Sequence, residues 1–298
     1  GLWESRKLGK PAFVDTGIWV SLGRDLDGLF YAKKKSYFRS WRPSKWMIKL
    51  IMTMEFRNWI LAFAFLAFVF GCSKSPERQA REVLEKAVEA HGGQETWENI
   101  GVLEFRKWTR LLDENGNVES ELDQWHEFRF EPYFEGKITW EKDSLEHVIH
   151  FNGTNLSYFM GGNEVKNPGF LTSKRKDFDA AYYTVAQPWK LLEEGNALSY
   201  EGVKTLENGQ AVHVIRVYYG PDSDIWWYYF DQNSYLMAGS EVQLKDHRSL
   251  VYDLEEENAG GLILHGTRES WRINEQGERL FLRAEYRYSE YKITQKTK

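Results

Sequence analysis

A chain of 298 residues that is 42% hydrophobic, 16% aromatic and 28% charged has room for one or two domains and is neither disordered nor wholly embedded in a membrane. Its net charge of −5 hides an asymmetry: residues 1–53 carry 11 Lys+Arg against 4 Asp+Glu, and the remainder carries 28 against 40. So acidic a remainder is a poor phosphate-backbone binder, so nucleic acid is not expected as a partner, and a lone cysteine, Cys72, excludes an internal disulfide and a Cys-based zinc site.

Residues 1–53 show no sustained apolar periodicity, and their charges, Trp and Gly fall haphazardly. Export signals act at a chain's N-terminus. This stretch is therefore expected to be upstream sequence translated through a misassigned start, with Met54 (or Met52 or Met47) as the true one and a cytoplasmic extension as the alternative. After Met54 comes one Arg, then twelve apolar residues at 59–70. As a helix they span ~18 Å, short of the ~30 Å hydrocarbon core, which fits a secretory segment better than a spanning one. The segment ends in Val69-Phe70-Gly71-Cys72.

That ending resembles the bacterial lipobox, with an aliphatic residue at −3, a small one at −1 and the Cys at +1. The resemblance implies a signal peptide over 54–71, a diacylglycerol on the Cys72 thiol, and a lipidated N-terminus and tether over 72–75. Two or three acyl chains at ~0.8 kcal/mol per buried CH₂ would hold the protein firmly on a membrane. Ser73 stands where an Asp would favour the inner membrane, and no acidic run follows. The expected location is the periplasmic face of the outer membrane.

The remaining chain, 76–298, reads as one mainly β domain. Ser75-Pro76-Glu77 is a helix start, with a capping Ser, Pro in the first turn and an early acid. Ala80, Val83, Leu84, Ala87, Val88 and His91 make one apolar stripe, and Gly92-Gly93 ends it. Residues 94–100 can add a turn or two that carries Trp97 inward. From Val102 the period becomes two. Leu122, Gln124, His126, Phe128 and Phe130 alternate with charged residues, Trp125 excepted, and Leu280, Leu282, Ala284, Tyr286 and Tyr288 alternate with Arg283, Glu285, Arg287 and Ser289. Both runs read as half-buried antiparallel strands. Hairpin turns are expected at 114–117, 207–210, 258–261 and 274–277, all rich in Asn and Gly. Strands recurring without intervening helices predict a meandering sheet or open barrel. One helical segment interrupts it at 177–195, broken near Gln187 by Pro188.

The order of these pieces carries a second resemblance. A helix ending in Ala90-His91-Gly92-Gly93, a turn with Trp97-Glu98-Asn99-Ile100, a strand, and a later Gln187-Pro188-Trp189-Lys190-Leu191-Leu192 is similar to LolA-like lipoprotein-sorting proteins over residues 76–291, in an uncharacterised, lipid-anchored branch. The resemblance implies an antiparallel sheet curled into an incomplete barrel around the N-terminal helix and the mid-chain segment, with an apolar cavity for acyl chains.

No catalytic motif is present: there is no HExxH, GxSxG, P-loop or GxGxxG. His147 and His150 are three apart, which on a strand sends them to opposite faces, so one metal is not expected to take both. No cofactor and no enzymatic activity are expected. Residues 225–230 put Ile225, Trp227 and Tyr229 on one face and Trp226, Tyr228 and Phe230 on the other, so a central strand or a cavity wall both fit. Large aromatics expected to form a cavity or its cover are Trp108, Trp140, Tyr182, Trp189, Trp227 and Tyr229. The reading is a lipid or acyl binder in a half-barrel. Two alternatives stand beside it: an envelope protein-interaction module with a filled barrel, and carbohydrate binding through exposed Trp. An open cavity favours the first, a solid core the second, and free coplanar Trp rings the third.

Overall fold

The N-terminal stripe becomes helix α1 (Pro76–Ala90), where the Ser75 hydroxyl accepts a hydrogen bond from the Arg78 amide at 3.3 Å and five apolar residues are buried. A computed structural model describes residues 74–193, 197–220 and 223–297, all within one unit of the chain, Cys72–Lys298. The expected signal segment, Cys72 and residues 1–53 lie outside the described residues. Gly92 and Gly93 follow α1 at φ +110° and +86°. A Cβ on Gly92 would lie 2.3 Å from the Gly261 carbonyl oxygen, so only glycine lets the helix end pack there. A short helix, α2 (Gln94–Glu98), leads into the sheet.

Among the described residues fifteen strands follow. The first six are β1 (Ile100–Leu112), β2 (Val118–Arg129), β3 (Glu135–Lys142), β4 (Leu145–Phe151), β5 (Leu156–Met160) and β6 (Asn163–Glu164). Helix α3 (Pro168–Val185) and a 3-10 turn (Trp189–Leu192) come next. The rest are β7 (Ala197–Thr205), β8 (Ala211–Tyr218), β9 (Ile225–Asp231), β10 (Met237–Gln243), β11 (Arg248–Asp253), β12 (Glu256–Ala259), β13 (Leu262–His265), β14 (Thr267–Ile273) and β15 (Arg279–Gln295).

Thirteen strands form one antiparallel sheet in the order β6-β5-β4-β3-β2-β1-β15-β14-β11-β10-β9-β8-β7, and β12 and β13 form a separate ribbon. The first and last strands pair at its middle, and α3 carries the chain from one edge to the other. The edges β6 and β7 are not paired with each other, so the sheet curls as an incomplete barrel. Register slips bend the long strands, since a bulge sharpens local twist. One slip is at Gly239, φ +154°, where a Cβ would meet the Val251 carbonyl oxygen at 2.2 Å.

The second helical segment starts earlier than its pattern indicates, at Pro168 rather than 177. Asn167 caps it, its side-chain oxygen accepting from the Phe170 amide at 2.9 Å. Thr172, Ser173 and Lys176 of its first half are exposed, so an apolar stripe shows only from Phe178 on. The four expected hairpin turns all join strands.

Two buried clusters lie between the sheet and its helices. Phe105, Phe128, Ile138, Ile149 and Phe178 anchor one under α3, and Leu84, Ile215, Val217, Tyr228 and Phe230 anchor the other under α1. A third cluster, with Val212, Val214, Tyr229, Leu250 and Tyr252, lies on the face away from the helices. No helix covers it. Lys204 sits 4.0 Å over the Tyr229 ring, and Arg279 4.8 Å over that of Trp271. Here cations cover the rings: Lys204 also donates to the Tyr229 hydroxyl at 2.6 Å, and Arg279 also pairs with Glu207.

His91 ties α1 to this framework. Its Nδ1 donates to the Ala87 carbonyl at 2.7 Å, and its Nε2 accepts from the Met237 amide at 3.4 Å. Burial holds its pKa down to about 4 from 6.5. Burial also holds His126 well below the ordinary value. The unfolded chain therefore takes up protons as pH falls through 6.5 while the folded chain does not until about 4. Stability should be full above about pH 6.5 and fall through that window, with His91 contributing about 3 kcal/mol of the loss. Urea unfolding of wild type and His91→Gln across this range checks it: the variant should show a shallower slope.

Candidate functional site

The register of the sheet places a row of small residues under the C-terminal half of α3. Tyr228 on β9 pairs with Ser240 on β10, Ser240 with Val251 on β11, Val251 with Ser270 on β14, and Ser270 with Ala284 on β15. Larger rings flank this row: Trp226 and Tyr228 on one side, Tyr286 and Tyr288 on the other. Small side chains between large ones leave room, and a cavity of about 480 Å³ opens there. Ligand sites run to roughly 300–1,000 Å³, so the space is of ligand size. Asp179, Ala180, Tyr183, Thr184 and Gln187 of α3 and the turn after it form the other wall, with Tyr219 and Val251, and Lys107 and Arg268 bring positive charge.

One end of the cavity is a hydroxyl chain. Tyr219 and Tyr228 hydroxyls lie 3.2 Å apart, Tyr183 and Tyr219 share a short hydrogen bond, and the Gln187 side-chain amide donates to Tyr228 at 3.5 Å. Burial pushes the Tyr183, Tyr219 and Tyr228 pKa values up, so all three stay neutral donors and acceptors. The Gln187 Oε1 is buried without a hydrogen-bond partner.

A buried charge cluster ties α3 down beside this space. Arg268 Nε lies 2.8 Å from Asp253 Oδ1, and both side chains are nearly inaccessible, at 6% and 3% exposure. His265 Nδ1 lies 2.6 Å from the Asp253 carboxylate and its Nε2 lies 3.0 Å from the Thr184 carbonyl oxygen of α3. Burial alone would push the Asp253 carboxyl up; the Arg268 guanidinium and the His265 ring outweigh it and hold the carboxyl below its usual value. Among the described residues no group of three or more His, Cys, Asp or Glu is placed to hold a metal ion, and no helix is long and apolar enough to cross a membrane.

None of the six aromatics singled out from the sequence lines this cavity. Trp140 is buried in the other half of the sheet, stacked on His147 at 5.3 Å. Tyr182 turns toward Phe134, 4.5 Å away, and Trp189 is buried against Trp97 at 4.4 Å. Trp227 and Tyr229 point to the face away from the helices, and so does Trp108, out of phase with Leu103 and Phe105. Their chain neighbours Lys107, Tyr183, Trp226 and Tyr228 reach the cavity instead. His147 is buried and His150 exposed, on opposite faces as their spacing requires. Cys72 lies outside the described residues.

Fold and site together define a curled antiparallel half-barrel with a ligand-sized space between sheet and helix. Solved structures similar to it include a DUF1329 family protein from Desulfovibrio piger, 7% identical, with a TM-score of 0.47 over 74% of this chain and 94% of that one. Another is a putative outer membrane lipoprotein-sorting protein domain from Vibrio parahaemolyticus, 11% identical, with a TM-score of 0.45 over 73% and 93%. No family model and no curated protein matches the sequence.

The charge cluster yields a direct test. Asp253→Asn leaves the Arg268 guanidinium buried without its counter-charge, which should cost about 3–5 kcal/mol. Chemical denaturation at neutral pH measures it; a loss below about 1 kcal/mol would mean that water reaches Arg268 freely.

Proposed function

We propose that this domain binds a lipid or acyl group in the cavity beneath α3, that it does so without catalysing a reaction, and that Cys72 carries the anchor holding it to the periplasmic face of the outer membrane. The observation that carries the binding reading is the cavity itself, an open space of about 480 Å³ with aromatic walls where a sheet and helix would otherwise pack shut. Apolar walls take an acyl chain by removing its surface from water. The titratable groups around it favour binding over chemistry: Asp253, His265 and Arg268 are spent on one another and on Thr184, and the tyrosines stay protonated. The tryptophans of the outer face are less suited to sugar rings. A cation lies over the ring of Trp108, Trp125, Trp227 and Trp271 in each case.

A fluorescent fatty-acid analogue should bind the full-length protein saturably. Ser240→Phe, which fills the cavity floor, should weaken that binding at least about tenfold, worth about 1.4 kcal/mol, while leaving the circular dichroism unchanged. Undiminished binding by a folded Ser240→Phe protein would place the ligand elsewhere.

The anchor is tested separately. Cys72→Ala should abolish incorporation of radiolabelled palmitate and release the protein from membranes. Labelling that persists would contradict an anchor at this residue.

A further inference from the structure

The charges on the cavity wall do not balance. Asp179 is held by Arg175 through contacts of 2.8 and 2.9 Å, and Arg268 is held by Asp253 at 2.8 Å. Lys107 is different. Its ammonium lies 5.3 and 5.5 Å from the ring centroids of Tyr286 and Tyr288, which line the same space. Of the carboxylates on its own and adjoining strands, Glu104, Glu121, Asp123, Glu127 and Glu285 alternate to the opposite face, and Asp123 and Glu290 are engaged by Arg106, Glu285 by Arg110, Glu119 by Arg283 and Glu127 by Arg129. Lys107 thus brings a positive charge into an aromatic-walled space, and among the described residues no carboxylate forms an ion pair with it. Lys107 is half-buried, and the two ring faces supply only a partial counter-charge.

We propose that Lys107 selects a ligand with an acidic head group, a carboxylate or a phosphate, joined to an apolar tail. The inference rests on the cavity being the lipid or acyl site and adds the chemical class of what it holds. The acid sits against the Lys107 ammonium, where an oppositely charged hydrogen bond is stronger than a neutral one. The tail runs across Val251 toward Trp226. Tyr228, near that far end, stands on β9, five strand steps from β1 and about 24 Å away along the sheet. The unpartnered Gln187 Oε1 at the same far end presents a lone pair and no charge, so the full positive charge of Lys107 favours the acid at its own end.

Displacement of a neutral fluorescent naphthylamine from the full-length protein tests this with three competitors of equal chain length, dodecanoate, dodecyl phosphate and dodecanol, and with inorganic phosphate alone. The two acids should compete at least about tenfold better than dodecanol, the worth of one charge-assisted hydrogen bond. Lys107→Met should bring the acids level with dodecanol and leave dodecanol and the reporter unchanged, while Lys107→Arg should keep the preference. Whichever acid competes better identifies the head group as a carboxylate or a phosphate. Acids and alcohol competing equally against the wild type would overturn the inference and leave the cavity reading standing. So would a Lys107→Met protein that loses dodecanol and reporter as well, since Lys107 would then serve the fold. Inorganic phosphate competing as well as dodecyl phosphate would make this a bare anion site. A reporter that no amphiphile displaces would sink the cavity reading itself.

Discussion

Thirteen antiparallel strands spaced about 4.8 Å apart make a sheet about 58 Å across, and its apolar inner face must be kept from water by two helices, each about 10 Å wide. Two such helices cannot cover a flat sheet of that width. The sheet therefore has to curl, and twist plus the register slips along β15 and at Gly239 supply the curl. Rings then fill much of the concavity: Phe105, Phe128, Phe134, Phe151, Phe178 and Tyr182 pack edge to face or tilted under α3. The cavity is what remains where the inward residues turn small. Ser240 and Val251, neighbours across β10 and β11, form its floor, and Ser270 and Ala284 continue the same register row beyond it.

The same constraint explains why buried charge appears where it does. Helix α3 packs against β5, near the edge it starts from, so its far end needs a separate fastening. The Thr184 carbonyl finds it in His265, which is oriented in turn by Asp253 and Arg268. A group of this kind adds little net stability over apolar packing but fixes one arrangement, because any other leaves a charge buried alone. That fits an element required to hold a wall in place above an open space.

Much of the fold was legible in the sequence because it rests on local signals. The Ser75-Pro76 start, the Gly92-Gly93 stop, the Asn-Gly turns and the split of residues 225–230 between two faces all follow from backbone preferences and alternation. The start of α3 was not legible, since the first half of the helix is mostly solvated and shows no stripe. The cavity was not legible either. Ring size drew attention to Trp108, Trp227 and Tyr229, but alternation sends all three outward, and their smaller or polar neighbours face in. A usable signal was present in β1: Lys107 stands in phase with Leu103 and Phe105, a charge on an otherwise apolar face. Likewise Ser240 follows Met237 and Ala238 in a strand that is buried nearly throughout. The partnership of Asp253, His265 and Arg268 joins three strands and depends on their register, which no local pattern encodes.

Native mass spectrometry of the protein purified gently from the cells that make it tests the central claim most directly, because it asks whether the cavity is occupied as the cell makes it. A bound amphiphile retained by the wild type and absent from Ser240→Phe is the expected result. A wild-type protein that carries no adduct, and takes none up when offered total membrane lipid, would contradict the account.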